Sequence, residues 1–95
     1  MSTQVENMRS KSNKPVPNQF LIKGATHNGQ IGCFFQSYNS IIAFRPASGA
    51  SIVLDRSKWD YSITTGKYRN IFLGETKKET EKKIESGEYI LADLN

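Results

Sequence analysis

The chain has 95 residues, one cysteine, and 13 Lys and Arg against 9 Asp and Glu, for a net charge of +4. That length holds one small domain, and the lone Cys33 excludes a disulfide framework within the chain. No apolar run nears the ~20 residues that cross a membrane as a helix, and the N-terminus lacks the apolar stretch of a secretory signal, so a cytosolic protein is expected.

Residues 1–18, MSTQVENMRSKSNKPVPN, are polar, carry Pro15 and Pro17, and show no apolar periodicity. So little apolar surface does not offset an ordering cost of roughly 1–2 kcal/mol per residue. The segment reads as a disordered basic tail, and Gln19–Asn95 as the single folded unit. Charge is uneven along the chain. Residues 1–70 hold nine Lys and Arg against three acids, whereas residues 71–95 hold four Lys against six acids. The basic half points to an anionic partner; general solubility explains the same charge equally well.

Four runs rich in Ile, Val and Phe come next: QFLIKGAT (19–26), QIGCFFQS (30–37), SIIAFR (40–45) and SIVLD (51–55). Such residues suit a pleated, half-buried surface. Asn28-Gly29 is a two-residue hairpin signal, because both residues accept positive φ. Tyr38-Asn39-Ser40 and Pro46-Ala47-Ser48-Gly49 supply two more turns. Short strands joined this way form an antiparallel meander. Alternation puts Ile31, Cys33 and Phe35 on one face and Phe34 on the other, so the sheet is covered on one side and partly on the second.

The period then changes. In TTGKYRNIFLG, Tyr68, Ile71 and Phe72 fall on one helical face. Thr64 or Thr65 caps the start and Gly74 ends the helix. Thr76 to Glu79 is a capping box, opening a charged helix that runs to Ser86 and stops at Gly87. EYILADLN closes the chain as a strand. The expected architecture is α+β: an antiparallel β-meander with a small helical hairpin on one face and a C-terminal strand.

Catalytic chemistry is poorly supplied. A nucleophile needs a base beside it, and His27 and Cys33 are the only such pair. The simpler readings make His27 an exposed turn residue and Cys33 a small buried hydrophobe. One Cys and one His do not build a structural zinc site. Asp55 and Asp60 flank Trp59 without a third acid, and no phosphate-binding glycine loop occurs. We therefore expect no enzyme, no catalytic residue, no metal and no cofactor.

The unusual stretch is SKWDYSITTGKYRNIFLGE, residues 57–75, which crowds aromatic and cationic residues together. The structural reading makes Tyr68, Ile71 and Phe72 a buried stripe and Trp59 a junction residue. The functional reading assigns partner binding to Arg56, Lys58, Trp59, Tyr61, Lys67 and Arg69. Arg69 and Asn70 turn away from the Tyr68 stripe, and amides of Gly66 and Lys67 at a helix N-terminus favour an anion. The segments FQSYNSIIA (35–43), WDYSITTGKYRNIFLGE (59–75) and KKIESGEYILADLN (82–95) resemble a group of small phage- and prophage-encoded proteins of unknown function. That resemblance spans Gln19–Asn95 and implies a phage accessory protein acting in the host bacterial cytoplasm; it implies no activity. The preferred expectation is stoichiometric binding to a host macromolecule, a protein or complex, in the manner of an inhibitor. The alternative is binding of single-stranded DNA or RNA through the basic, aromatic-edged patch.

Overall fold

A computed structural model describes residues 3–95. Eight elements follow in order: β1 (Gln4–Arg9), β2 (Pro15–His27), β3 (Gln30–Ser37), β4 (Ser40–Pro46), β5 (Val53–Asp55), α1 (Ile63–Leu73), α2 (Lys77–Glu85) and β6 (Ile90–Ala92). The six strands form one sheet in sequence order. Pairing is antiparallel up to β5, and β6 runs parallel to β5. Parallel neighbours need a crossover, and the α1–α2 pair provides it. The protein is thus the α+β meander with two helices and a C-terminal strand that the alternation implied.

Two rows of side chains explain the sheet. Leu21, Phe35, Ala43, Leu54 and Leu91 are successive cross-strand partners. They lie on the helix side, where Phe35, Ile42, Ala43 and Leu54 are fully buried with Phe72, Tyr89 and Met8. The adjacent row, Val5, Ile22, Phe34, Phe44, Val53 and Ile90, faces the other way. His27 packs on that second face, 5.3 Å from the Phe44 ring and 6.0 Å from Phe34. It is a half-buried sheet residue, where an exposed turn residue was expected. Asn28 and Gly29 both have positive φ, as their hairpin requires. Gly32 admits no side chain: a Cβ there would overlap the Arg45 carbonyl oxygen and sit 2.8 Å from the Phe44 ring.

The N-terminus corrects the expected tail. From Gln4 onward the supposed disordered segment 1–18 is ordered, as β1 and the first part of β2; Met1 and Ser2 lie outside the described residues. Two apolar side chains suffice because the backbone does the pairing. Met8 and Val16 are buried, Asn7 Nδ2 donates to the Val16 carbonyl at 2.9 Å, and Lys23 pairs with Glu6 at 2.7 Å. The far end is tied down similarly. The Asn95 side-chain amide bonds both the N–H and the C=O of Ile41, at 2.7 and 2.9 Å, standing in for the strand partner that short β5 does not supply there.

Candidate binding face on helix α1

Helix α1 is anchored by polar groups. Ser62, extended at φ −153°, is the N-cap and accepts from the Thr65 amide; the cap lies earlier than the expected Thr64 or Thr65. Thr65 is instead fully buried and shares a 2.9 Å hydrogen bond with Ser37 Oγ on β3. The Gly66 amide is bonded to the Ser62 carbonyl within the helix, so it is not free to meet an anion as expected. Gly74, in the left-handed region, ends the helix as expected.

Arg69 is the main correction to the expected partner-binding set. It is 1% exposed. Its guanidinium donates to the Trp59 carbonyl at 2.7 Å and to Asn70 Oδ1 at 2.9 Å, pairs with Asp60 at 3.2 Å, and lies 5.2 Å from the Trp59 ring. Trp59 is half-buried and packs against the core. Both residues therefore hold the fold. Burial opposes ionisation of Asp60, yet the hydrogen bonds from Lys77 and Arg69 outweigh it and hold the carboxyl below its ordinary value. The buried stripe of α1 is Thr65, Gly66, Arg69 and Phe72, rotated from the expected Tyr68–Ile71–Phe72 stripe.

That rotation turns Ile71 outward. Ile63, Lys67 and Ile71 recur every fourth residue and share the outer face of α1. Ile63 is 94% exposed and Ile71 54%. Two grooves flank this ridge. One, of about 620 Å³, is lined by Asp60, Tyr61, Ile63, Lys67 and Lys77. The other, of about 580 Å³, lies between α1 and the β1–β2 turn, lined by Arg9, Ser10, Lys11, Lys67, Tyr68 and Ile71. Folding of the N-terminal hairpin thus delivers Arg9 and Lys11 beside Lys67, which their assignment to a tail had hidden. Lys58 stands 5.2 Å over the exposed Tyr61 ring, and Lys67 5.3 Å over Tyr68. Arg56 instead donates to the Leu91 carbonyl of β6 at 3.3 Å. Of the six expected contact residues, Lys58, Tyr61 and Lys67 meet around α1, Trp59 and Arg69 lie beneath it, and Arg56 is tied to the sheet.

The remaining reactive groups are separated or occupied. Cys33 faces the helix side and His27 the opposite face, so they make no dyad. Burial pushes the Cys33 thiol up, against the pull of Arg45 and Lys23. Asp55 accepts from the amides of Ser57, Lys58 and Leu94, which fixes the turn leading to Trp59. Glu75, with its side chain 4% exposed, accepts from Thr80 at 2.6 Å, Tyr89 at 2.7 Å and Lys83 at 2.8 Å. This network clamps α2 to the sheet beside the capping box of Thr76 and Glu79. Sequence reading missed it because Glu75 and Tyr89 are brought together only by the helical hairpin. Tyr89 is pushed up to about 12, by burial first and then by the Glu75 carboxylate.

The profile of a family of unknown function, DUF8033, matches residues 3–88, a span that takes in β1 and both helices. No curated protein and no solved structure matches the chain.

Proposed function

We propose that this chain, which belongs to the DUF8033 family of unknown function, works without catalysis, by stoichiometric binding of an acidic protein surface to the outer face of α1. The carrying observation is the exposure of Ile63 and Ile71 on either side of Lys67, with Arg9, Lys11 and Lys58 around them. Apolar anchors inside a charged rim match the anatomy of protein interfaces. Branched aliphatic side chains have no flat π surface for stacking bases. One face of each nearby tyrosine ring, Tyr61 and Tyr68, already meets the chain's own lysine. The resemblance of the 59–75 segment to phage-encoded proteins supports a host protein or complex in the bacterial cytoplasm as the partner, and inhibition of it as the role.

A second reading, single-stranded nucleic acid, is favoured by the groove between α1 and the β1–β2 turn, where Arg9, Lys11 and Lys67 line Tyr68 without an acid. Affinity capture from bacterial lysate, with and without nuclease, separates the two. For a protein partner, Ile63→Asp with Ile71→Asp abolishes capture, and nuclease changes nothing. For nucleic acid, the isoleucine pair matters little. Arg9→Gln, Lys11→Gln and Lys67→Gln then weaken oligonucleotide binding and flatten its salt dependence by roughly 0.7 in slope for each lost phosphate contact. Retention of one specific partner by both variant sets overturns the assignment of function to this face.

A further inference from the structure

A second site, independent of α1's outer face, lies at the open end of the sheet. Ile31 and Cys33 are on the same face as the core, yet Ile31 is 40% exposed and Cys33 is only half-buried. The segment after β4 curls beside them and leaves a groove of about 780 Å³, walled by Ile31, Cys33, Ala47, Ala50 and Ile52. That volume is in the range of small-molecule sites. The walls are apolar, and one charged group lines the groove, Arg45.

Arg45 is held in place but not neutralised. Its guanidinium lies 4.3 Å over the Phe72 ring and donates one N–H to the Phe72 carbonyl. Among the described residues no carboxylate pairs with it. Glu6 is taken by Lys23, Asp60 by Arg69 and Lys77, and Glu75 by Lys83; Glu88, exposed and 3.8 Å from Lys83, lines with Arg45 and Glu75 an adjoining groove but is not paired with Arg45. A guanidinium stacked on one side and bonded at one corner keeps a planar edge of donors, a geometry that suits a carboxylate. We infer that this groove binds an amphipathic carboxylate, with its alkyl chain along Ile31, Cys33 and Ile52 and its carboxylate on Arg45. Arg45 is exposed to solvent, so a neutral apolar ligand would displace water from its guanidinium without replacing those hydrogen bonds. A polyanion would meet one cation among apolar walls.

Decanoate is the probe, with decanol as its uncharged match, titrated into the full chain by calorimetry. Cys33 is the only cysteine, so its alkylation by N-ethylmaleimide reports occupancy directly. The expected result is saturable decanoate binding that slows alkylation. Arg45→Gln weakens decanoate by about tenfold or more, the usual effect of losing a charged hydrogen bond, and leaves decanol unchanged. Ala50→Trp fills the groove from the exposed loop and abolishes binding of both. If Arg45→Gln does not fold, Ala50→Trp and the alkylation assay still decide. No saturable binding of decanoate, equal affinity of the wild type and Arg45→Gln, or unaltered Cys33 alkylation at saturating decanoate each overturns the site.

Discussion

On the inner face of α1, Arg69 is 1% exposed and its neighbours in the buried stripe are Thr65 and Gly66; on the outer face, Ile63 is 94% exposed and Ile71 54%. The helix buries a cation and shows isoleucines to solvent. The two faces are stabilised by different physics. Inside, a charge is tolerated because the Trp59 carbonyl, Asp60 and Asn70 accept its hydrogen bonds, and an unpaired buried charge would be costly. Outside, among the described residues, Ile63 is almost uncovered and Ile71 is covered over only about half its surface, so their burial contributes little to folding. A contrast this sharp separates residues that hold the domain from residues available to a partner, within one helix of 11 residues.

The largest expected effect tests the inner face. Arg69→Ala removes a buried side chain that packs on Trp59 and leaves the Trp59 carbonyl without its donor, while Asp60 keeps Lys77; the expected cost is up to about 3 kcal/mol in urea unfolding. Lys67→Ala, two residues earlier on the exposed side, stays within about 0.5 kcal/mol. Equal costs for the two would erase the distinction between the faces.

Deletion of residues 1–9 comes next. It removes β1, exposes the edge of β2, and unburies what Met8 covers. Burial of a side chain such as Met8 is worth about 1.5–3 kcal/mol, so stability falls by roughly that amount. The same deletion takes Arg9 from the groove beside Tyr68 and Ile71. Unchanged unfolding would mean that β1 is dispensable and that the outer groove has one wall.

A smaller effect appears in acid. The folded-state pKa values of Asp60 and Glu75 both lie below their ordinary values of 3.8 and 4.5: burial raises each, and the hydrogen bonds from Lys77 and Arg69, and from Lys83, Thr80 and Tyr89, more than reverse it. A carboxylate depressed on folding stabilises the protein above its unfolded pKa, and that contribution is lost as pH falls through the folded value. Stability therefore declines as pH drops below about 4.5. Asp60→Asn with Glu75→Gln lowers stability at neutral pH and flattens this acid limb. The ridge of Ile63, Lys67 and Ile71 holds no acid, so removing a side chain from it without adding a carboxylate, as in Lys67→Ala, keeps the wild-type slope.

What the sequence displayed follows the range of each interaction. The β2–β4 meander shows in local alternation and in Asn28-Gly29, and the capping box of Thr76 and Glu79 shows because both partners sit within one turn. β1 was hidden since its stability comes from backbone pairing, with Met8 and Val16 as thin side-chain support. Arg69 was hidden because a cation reads as solvent-facing until Trp59 and Asp60 are folded around it. Ile71 was placed in the core by a stripe that counted hydrophobicity and overlooked buried Thr65 and Gly66. Lys58, Tyr61 and Lys67 were legible as candidates: the first is half-buried in a charged turn, and the other two are exposed at the helix start and on its outer face. Arg9 and Lys11 needed the hairpin, and Ile63 gave no signal of its own until the helix start was fixed at Ser62.

The smallest expected stability effect is the one that sharpens the comparison most. Ile63 occupies the first helical position of α1, where the chain has no acidic residue in the first turn. Exposed amide hydrogens and the helix dipole favour a negative charge there, typically by 0.3–1 kcal/mol. Almost none of the Ile63 surface is covered, so the loss of its side chain removes little apolar burial. Ile63→Asp should therefore leave thermal unfolding unchanged or raise it slightly. On the proposed function the same substitution places a carboxylate against an acidic partner and removes an anchor, so capture is lost from a protein at least as stable as before. A destabilised Ile63→Asp would mean that Ile63 serves the fold after all, through contact with Tyr61 or the turn before it. A stable variant that captures its partner normally would move the interface off this end of α1, to Ile71 and the groove that Arg9 and Lys11 line.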